Sequence, residues 1–423
     1  MSTQTTTREQ PAGGSTEQFL SGKLAQVDIK KIEKELKELW RSAAQTDGGV
    51  ASVTRACVMN LILYSEDQDT EQSASDLLDD IMLRHPCRAI LALSTKSSGN
   101  PSLEAWVAAR CHLTDSKSMK QICCEQITVR GDNVNNDELS SVVLPLVISD
   151  LPLFMWWRAA PLSHEKLKPF LGWIDRMIVD SSCDRDSLQF FSELLNIMNG
   201  QAQVQSVAHE IPFSCIDLNW RRSVSWRESV ALAFDQRHSA LSPDYLAGIN
   251  NVEISYGLPD DEKNGEASWK GLTNQALLIV GWISSTLGWR LQKAAADKQR
   301  VDLSFDSSGS KISVSLVGVP SDQAGEGDIG SILIRSERPE KVSIVATQHK
   351  GMPGIGVTCY RGDQADRNQS GQANCTSLFE LDEVAESRLI DKELEIPGVE
   401  PIFKRAVVSA VEILKLLQSS GKS

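Results

Sequence analysis

The stretch ACVMNLILYSEDQDTEQSASDLLDDIMLRHPCRAILAL, residues 56–93, decides the fold class of the chain. It opens with an apolar run over 56–64 that only Asn60 interrupts, and it closes with a second apolar run over 87–93. Between the two runs, apolar residues recur at helical spacing over 77–82. Two apolar strands joined through a helix by short connections are typical of a parallel sheet that is buried on both faces.

The residues that follow extend this sheet. Two alternating runs, 105–113 and 119–129, predict a hairpin, and 153–157 predicts a further strand. A Trp- and Arg-rich helix over 219–234 closes the unit. We therefore predict one mixed, largely parallel α/β domain over residues 21–238, with helices on both faces of its sheet.

The remaining residues show a different pattern of apolar and polar residues, which predicts a second domain, of α+β class, over 239–423. A long apolar helix is predicted over 274–291, and the strands after it alternate apolar and polar residues, as in an antiparallel sheet with flanking helices. These predicted strands cover 301–305, 311–317, 331–335, 341–347 and 356–360. Residues 1–20 are predicted to be a disordered tail.

Composition restricts the partners and the compartment. The 423 residues carry a formal net charge of −13 with no basic stripe, which argues against nucleic acid and anionic membranes as partners. Residues 1–16 contain no apolar run of the kind a secretory signal needs, and the apolar stretch 276–289 is too short to span a bilayer. We expect a cytoplasmic protein whose nine cysteines are mostly reduced.

Sequence motifs for catalysis and ligand binding are weak or absent. Gly325, Gly327 and Gly330 spell GxGxxG, but a strand-like segment follows them, whereas a dinucleotide loop opens a helix. The six histidines are widely separated, and the adjacent acidic residues fit solvated faces. We predict no catalytic, cofactor-binding or metal-binding residue.

Tryptophan is over-represented, with ten Trp against four Tyr. Core and domain-interface packing, with arginine stems stacked on indoles, is one interpretation. The other is a protein-binding surface, because Trp and Arg are enriched among interface hot spots. The candidate contact residues are Trp156, Trp157, Arg158, Trp220, Arg221, Trp226 and Arg227.

The same segments carry a family resemblance. HPCRAI at 85–90, CCEQI at 123–127, LPLFMWWRA at 151–159, and DLNW at 217–220 followed by WRE at 226–228 resemble the OpcA family of glucose-6-phosphate dehydrogenase assembly proteins, in its longer cyanobacterial form. The resemblance implies a non-enzymatic allosteric activator. Such a protein binds glucose-6-phosphate dehydrogenase, favours its active oligomer, raises its apparent substrate affinity and supports the oxidative pentose phosphate pathway.

The resemblance also implies control by thioredoxin, since the family is associated with it in photosynthetic bacteria. Cys359 and Cys375, which bracket a polar loop over 361–374, are the candidate redox pair. A bond between them would close about 17 residues and stabilise the chain by about 3 kcal/mol. The alternative is that all nine cysteines are simply reduced.

An enzymatic alternative stays open. The N-terminal domain could act on sugar phosphates at the carboxyl ends of its parallel strands, where such sheets usually bind ligands. Arg88, Arg130 and Arg158 would then be the candidate phosphate-binding residues.

Overall fold

The computed structural model describes most of the chain. The described residues are 20–21, 25–46, 52–66, 71–113, 120–184, 186–201, 213–235, 241–258, 272–297, 299–320, 324–348, 354–362, 375–380, 385–395 and 398–420. The predicted tail therefore lies almost wholly outside the described residues. The predicted domain boundary near 238 also lies outside them.

The first half of the chain forms a ten-stranded sheet with helices beside it. Its strands are β1 (Leu20–Ser21), β2 (Ala25–Val27), β3 (Ser52–Arg55), β4 (Met59–Ser65), β5 (Cys87–Thr95), β6 (Ser102–Leu113), β7 (Lys120–Asp132), β8 (Leu153–Trp157), β9 (Arg176–Val179) and β10 (Ser214–Asp217). Its helices are α1 (Ile32–Thr46), α2 (Glu71–Arg84), α3 (Asn136–Val143), α4 (His164–Leu171), α5 (Ser187–Gln201), α6 (Leu218–Arg222) and α7 (Val224–Leu232).

The central strands run parallel in the order β7-β5-β4-β8-β9-β10. Strands β5 and β7 are added in sequence on one side of β4. The chain then crosses to the other side of β4, where β8, β9 and β10 are added. This is the doubly wound order, in which the direction of growth reverses between β4 and β8. Every residue of β4 is buried, which requires cover on both faces because neighbouring side chains point to opposite sides. The predicted parallel sheet and the predicted hairpin, seen as the antiparallel pair β6–β7, are confirmed.

The second half forms an eight-stranded sheet in the order β12-β13-β14-β11-β15-β16-β17-β18, antiparallel except where β11 lies beside β14. Its strands are β11 (Ile249–Gly257), β12 (Arg290–Asp297), β13 (Arg300–Ser307), β14 (Ser310–Val319), β15 (Ile329–Ser336), β16 (Val342–Gln348), β17 (Gly354–Arg361) and β18 (Cys375–Glu380). Its helices are α8 (Asn274–Thr286), α9 (Glu386–Glu395) and α10 (Pro401–Ser420). The predicted antiparallel sheet with flanking helices is confirmed.

Two predicted helices differ from expectation. The helix predicted over 274–291 stops at Thr286, because Gly288 adopts a left-handed conformation (φ 68°) that ends the helix before β12 begins. The helix predicted over 219–234 is divided into α6 and α7 at Ser223, whose hydroxyl donates a 2.8 Å hydrogen bond back to the carbonyl of Trp220.

Helix α9 and the residue before α10 contact the first half of the chain through two ion pairs and a hydrogen bond. Asp391 pairs with Arg84, and Glu393 pairs with Arg176 in a contact that is almost fully buried on both sides. The indole N–H of Trp220 donates to Glu400 at 2.7 Å. The two sheets are therefore joined by a charged and hydrogen-bonded junction.

Candidate functional site

The reversal of strand order leaves a crevice at the carboxyl ends of β4, β8 and β9. Residues from all three strand ends line a cavity of about 200 Å³ there, and Glu386 of α9 closes one side. In doubly wound sheets, this crevice is the usual ligand site. It is therefore the first place to test the enzymatic alternative.

The first strand end of the crevice is filled by protein side chains. The ring of Tyr64 stacks on that of Trp157, with centroids 3.9 Å apart and planes inclined by 2°. The Tyr64 hydroxyl lies 3.0 Å from a carboxylate oxygen of Glu66, which also pairs with Lys166 at 2.6 Å. The sequence that follows β4, Glu-Asp-Gln-Asp-Thr over 66–70, contains no glycine and three acidic residues. A loop of this composition lacks the glycines and the positive character that receive a pyrophosphate.

The arginines of the enzymatic alternative are already engaged. Arg88 lies at the start of β5, at the opposite end of the sheet from the crevice, and pairs with Glu125 and Glu33 at 2.7 Å each. The guanidinium of Arg130 lies over the ring of Trp106 at 5.2 Å. Of the three arginines, only Arg158 lines the crevice, and it pairs with Glu386 at 3.2 Å.

The tryptophans predicted as contact residues lie in the core. Trp156, Trp157, Trp220 and Trp226 are between 0% and 3% exposed. Adjacent strand residues point to opposite faces, and both faces of this sheet are covered, so Trp156 and Trp157 are both buried. Direct contact between these rings and a partner is therefore not supported in this conformation, whereas the packing interpretation describes their geometry.

Two of the candidate arginines are held on these buried rings. The Arg158 guanidinium lies 5.2 Å from the centroid of Trp156, and that of Arg227 lies 3.5 Å from the centroid of Trp220. Arg227 also donates to the carbonyl of Trp220 at 3.1 Å, and burial lowers the pKa of its guanidinium to about 10. Arg158, Arg221 and Arg227 are each half-buried, so they keep part of their surface for a partner.

A buried carboxyl lies behind the crevice. Asp217 ends β10 and accepts hydrogen bonds from the backbone N–H groups of Ser181 (2.9 Å) and Asn219 (3.0 Å), the second of which caps α6. Burial, with a further contribution from the nearby charge of Asp180, raises the pKa of Asp217 to about 7. Asp180 itself is engaged by Arg222 at 2.7 Å. The protonation of Asp217 therefore changes near neutral pH.

A disulfide within the described residues was not predicted from the sequence, and it contradicts the alternative that all nine cysteines are reduced. Cys111 and Cys123 face each other across β6 and β7 and are joined as a disulfide, with their Cα atoms 4.0 Å apart. The predicted redox residues Cys359 and Cys375 are direct Cα partners across β17 and β18. The register thus brings these two positions together, and their bonding stays a prediction.

No group of three or more His, Cys, Asp or Glu side chains among the described residues is arranged to hold a metal ion. Of the helices within the described ranges, none is both long and apolar enough to cross a membrane.

These features define an α/β protein in which a doubly wound sheet of the dinucleotide-binding order is joined to an antiparallel sheet. Two family profiles match the chain and together cover more than half of it. Residues 78–196 match the N-terminal domain, and residues 214–407 match the C-terminal domain, of what both profiles describe as a glucose-6-phosphate dehydrogenase subunit. The chain belongs to the OpcA family.

Cyanobacterial proteins are similar to this chain along most of its length. OpcA of Nostoc punctiforme is 28% identical, with 92% of this chain and 94% of that protein covered. OpcA of a Synechocystis species is 26% identical, with 84% of this chain and 68% of that protein covered.

The solved structures that we compare with this chain by backbone fold are oxidoreductases. The chain is similar to an oxidoreductase from Sinorhizobium meliloti (11% identity, TM-score 0.47, covering 86% of this chain and 98% of that one). It is also similar to a glucose-6-phosphate 1-dehydrogenase from Mycobacterium avium (10% identity, TM-score 0.43, covering 86% and 92%). A likeness at these TM-scores does not establish a shared activity.

Proposed function

We propose that this chain is a non-catalytic, cytoplasmic partner of glucose-6-phosphate dehydrogenase that favours the active oligomer of the enzyme and raises its apparent substrate affinity. The observation that carries the proposal is the match of both halves of the chain to domains described as those of a glucose-6-phosphate dehydrogenase subunit. The names of the cyanobacterial relatives refer to the OxPP cycle, which supports a role in the oxidative pentose phosphate pathway.

The physical mechanism that we propose is a population shift. A binding partner changes an equilibrium only by the difference between its affinities for the two states. The chain must therefore bind the active dehydrogenase conformation more tightly than the inactive one. Substrate must in turn tighten binding of the chain, because coupling between the two sites is reciprocal.

The proposed contacts are Arg158, Arg221 and Arg227, and the buried rings of Trp156 and Trp220 position Arg158 and Arg227. A guanidinium that rests on an indole is preorganised and loses less conformational freedom when a partner binds. Arg221 is tested first because its side chain is half-buried on α6, next to Trp220.

The experiment is a titration of the purified chain into the dehydrogenase, following both enzyme activity and complex mass. We expect a lower apparent KM and a complex heavier than either protein. Arg221→Ala should raise the dissociation constant about tenfold or more, as hot-spot arginines do. Arg405→Ala, at an exposed arginine on α10, is the matched control and should change nothing. A dehydrogenase that keeps its mass and its KM at saturating chain would refute the proposal.

The enzymatic alternative rests on the crevice position of Arg158. Turnover of a sugar phosphate by the chain alone, abolished by Arg158→Ala, would support it. The ion pair between Arg158 and Glu386 is the reason to prefer the non-catalytic role, because a phosphate would have to displace a carboxylate already in place.

We also propose thioredoxin as a regulatory partner, acting on Cys359 and Cys375. Mass mapping after mild oxidation should find a link between these two residues that reduced thioredoxin removes. Complete alkylation of both thiols after oxidation would end this part of the proposal.

A further inference from the structure

The two faces of the C-terminal sheet differ in their contacts with the helices that the structure describes. Val301, Leu303 and Phe305 of β13 point to the helix side and are buried. Their neighbours Arg300 and Asp302 point the other way and are exposed. Among the described residues, side chains of α7 and α8 line a cavity together with Ile249 and Ile334 on the buried side of this sheet. We find no described helix on the opposite side, which we call the open face.

The half of the open face toward β18 is neutral and small in relief. The strand register places Leu333, Val345 and Thr358 side by side across β15, β16 and β17. At the edge strand β18, Leu378 is 63% exposed and lies opposite Gly356. The rest of this region consists largely of Ser, Thr and Gly, whose short side chains allow a second sheet to approach closely.

The other half of the open face carries charges of both signs. Asp302 and Glu253 lie in one cross-strand row, with Ser315 between them. The guanidinium of Arg300 lies 2.9 Å from Asp302 and 4.0 Å from Glu253. Arg335, on β15, adds a second positive charge. The open face is therefore balanced in charge, unlike the chain as a whole, whose net charge of −13 makes two copies repel.

The size of the open face matches what a stable dimer needs. Eight strands at about 4.8 Å spacing and about 20 Å of strand length give on the order of 700 Å². A standard interface buries about 800 Å² on each partner. We propose that the open face joins two copies of this chain, sheet on sheet, around a two-fold axis. We favour a second copy as the occupant of the open face. A face whose charges are balanced can complement itself, whereas the remaining, acidic surfaces of two copies repel each other.

The test is the mass of the full-length chain in solution, by light scattering after size exclusion across a concentration series. The chain of 46.5 kDa should run at twice that mass. Val345→Lys buries a lysine from each copy in the neutral half of the interface and should weaken dimerisation at least tenfold. Val408→Lys makes the same change at a valine that is 37% exposed on α10, and should leave the dimer intact. Circular dichroism confirms that each variant is folded.

A second measurement does not depend on any variant. Cross-linking a mixture of isotope-labelled and unlabelled chain should give links between copies at Lys293 and Lys311, which are exposed on β12 and β14. A chain that is monomeric throughout, or a Val345→Lys variant with unchanged dimer mass, overturns the proposal. A monomeric chain whose Val345→Lys variant loses the dehydrogenase also overturns it, since the open face would then belong to the enzyme. The mass and cross-linking measurements need no dehydrogenase, so they test the dimer separately from the activator role.

Discussion

Gly281 marks the closest approach between α8 and α10, and replacing it tests how the C-terminal helix is held. A Cβ atom at position 281 would lie 2.3 Å from the carbonyl oxygen of Ala406 and 3.0 Å from its carbonyl carbon. Both are backbone atoms, so no side-chain rotation can relieve the clash. Overpacking of this kind costs about 1–3 kcal/mol. Alanine recovers about 1 kcal/mol of helix propensity, so Gly281→Ala should lower the free energy of unfolding by up to about 2 kcal/mol.

Gly200 supplies the matched control, because it also lies in a helix, α5, but a Cβ atom there meets nothing within 4 Å. Gly200→Ala should therefore be neutral or stabilise the chain by up to about 1 kcal/mol. Urea unfolding of both variants, followed by circular dichroism and by tryptophan fluorescence, gives the comparison. Should Gly281→Ala unfold at the same urea concentration as Gly200→Ala or a higher one, the close packing of α8 on α10 would be refuted.

Three further perturbations probe the buried polar and aromatic groups. Glu393→Gln leaves the buried guanidinium of Arg176 without its counter-charge and should lower the free energy of unfolding by about 3–5 kcal/mol. A loss below about 1 kcal/mol in the same urea assay would contradict a buried ion pair. Asp217 has a folded-state pKa of about 7 against an ordinary value of 3.8, so the stability that its protonated form contributes is complete below about pH 4 and is lost as pH rises to about 7. That loss is about 4 kcal/mol, and Asp217→Asn should flatten the dependence of the unfolding free energy over this range; an unchanged pH profile would exclude Asp217 as its source. Trp157→Phe keeps an aromatic ring on Tyr64 and should cost less than about 1.5 kcal/mol, whereas Trp157→Ala should cost about 3–5 kcal/mol; equal melting temperatures for the two variants would show that the ring is not packed.

The parallel sheet could be predicted because its cause is local. A strand covered on both faces must be apolar at consecutive positions, and 56–64 and 87–93 show that pattern directly. For Trp157, the sequence pattern alone does not decide between core and interface. An indole at a strand end is consistent with a core or an interface, and only the register of β4 against β8, which places Tyr64 beside Trp157, decides for the core.

Register also explains why the disulfide was missed. The hairpin of β6 and β7 was predicted, but the pairing of Cys111 with Cys123 depends on which residues stand opposite each other. A shift of one residue moves every side chain to the other face, and the sequence of a hairpin with a long connection does not fix that choice.

The crevice at the strand reversal shows how side chains rather than topology set what such a site can do. Its position is the one that a dinucleotide-binding order provides, yet its charged groups satisfy one another: Glu66 with Lys166, and Arg158 with Glu386. Glu386 belongs to α9, more than two hundred residues along the chain from Arg158, so the crevice also contributes to the junction between the two halves. A ligand that displaced Glu386 from Arg158 would therefore weaken that junction, and interdomain packing and ligand binding would compete for the same guanidinium. This competition is a physical reason why a chain with this topology is suited to hold a fixed shape for a protein partner.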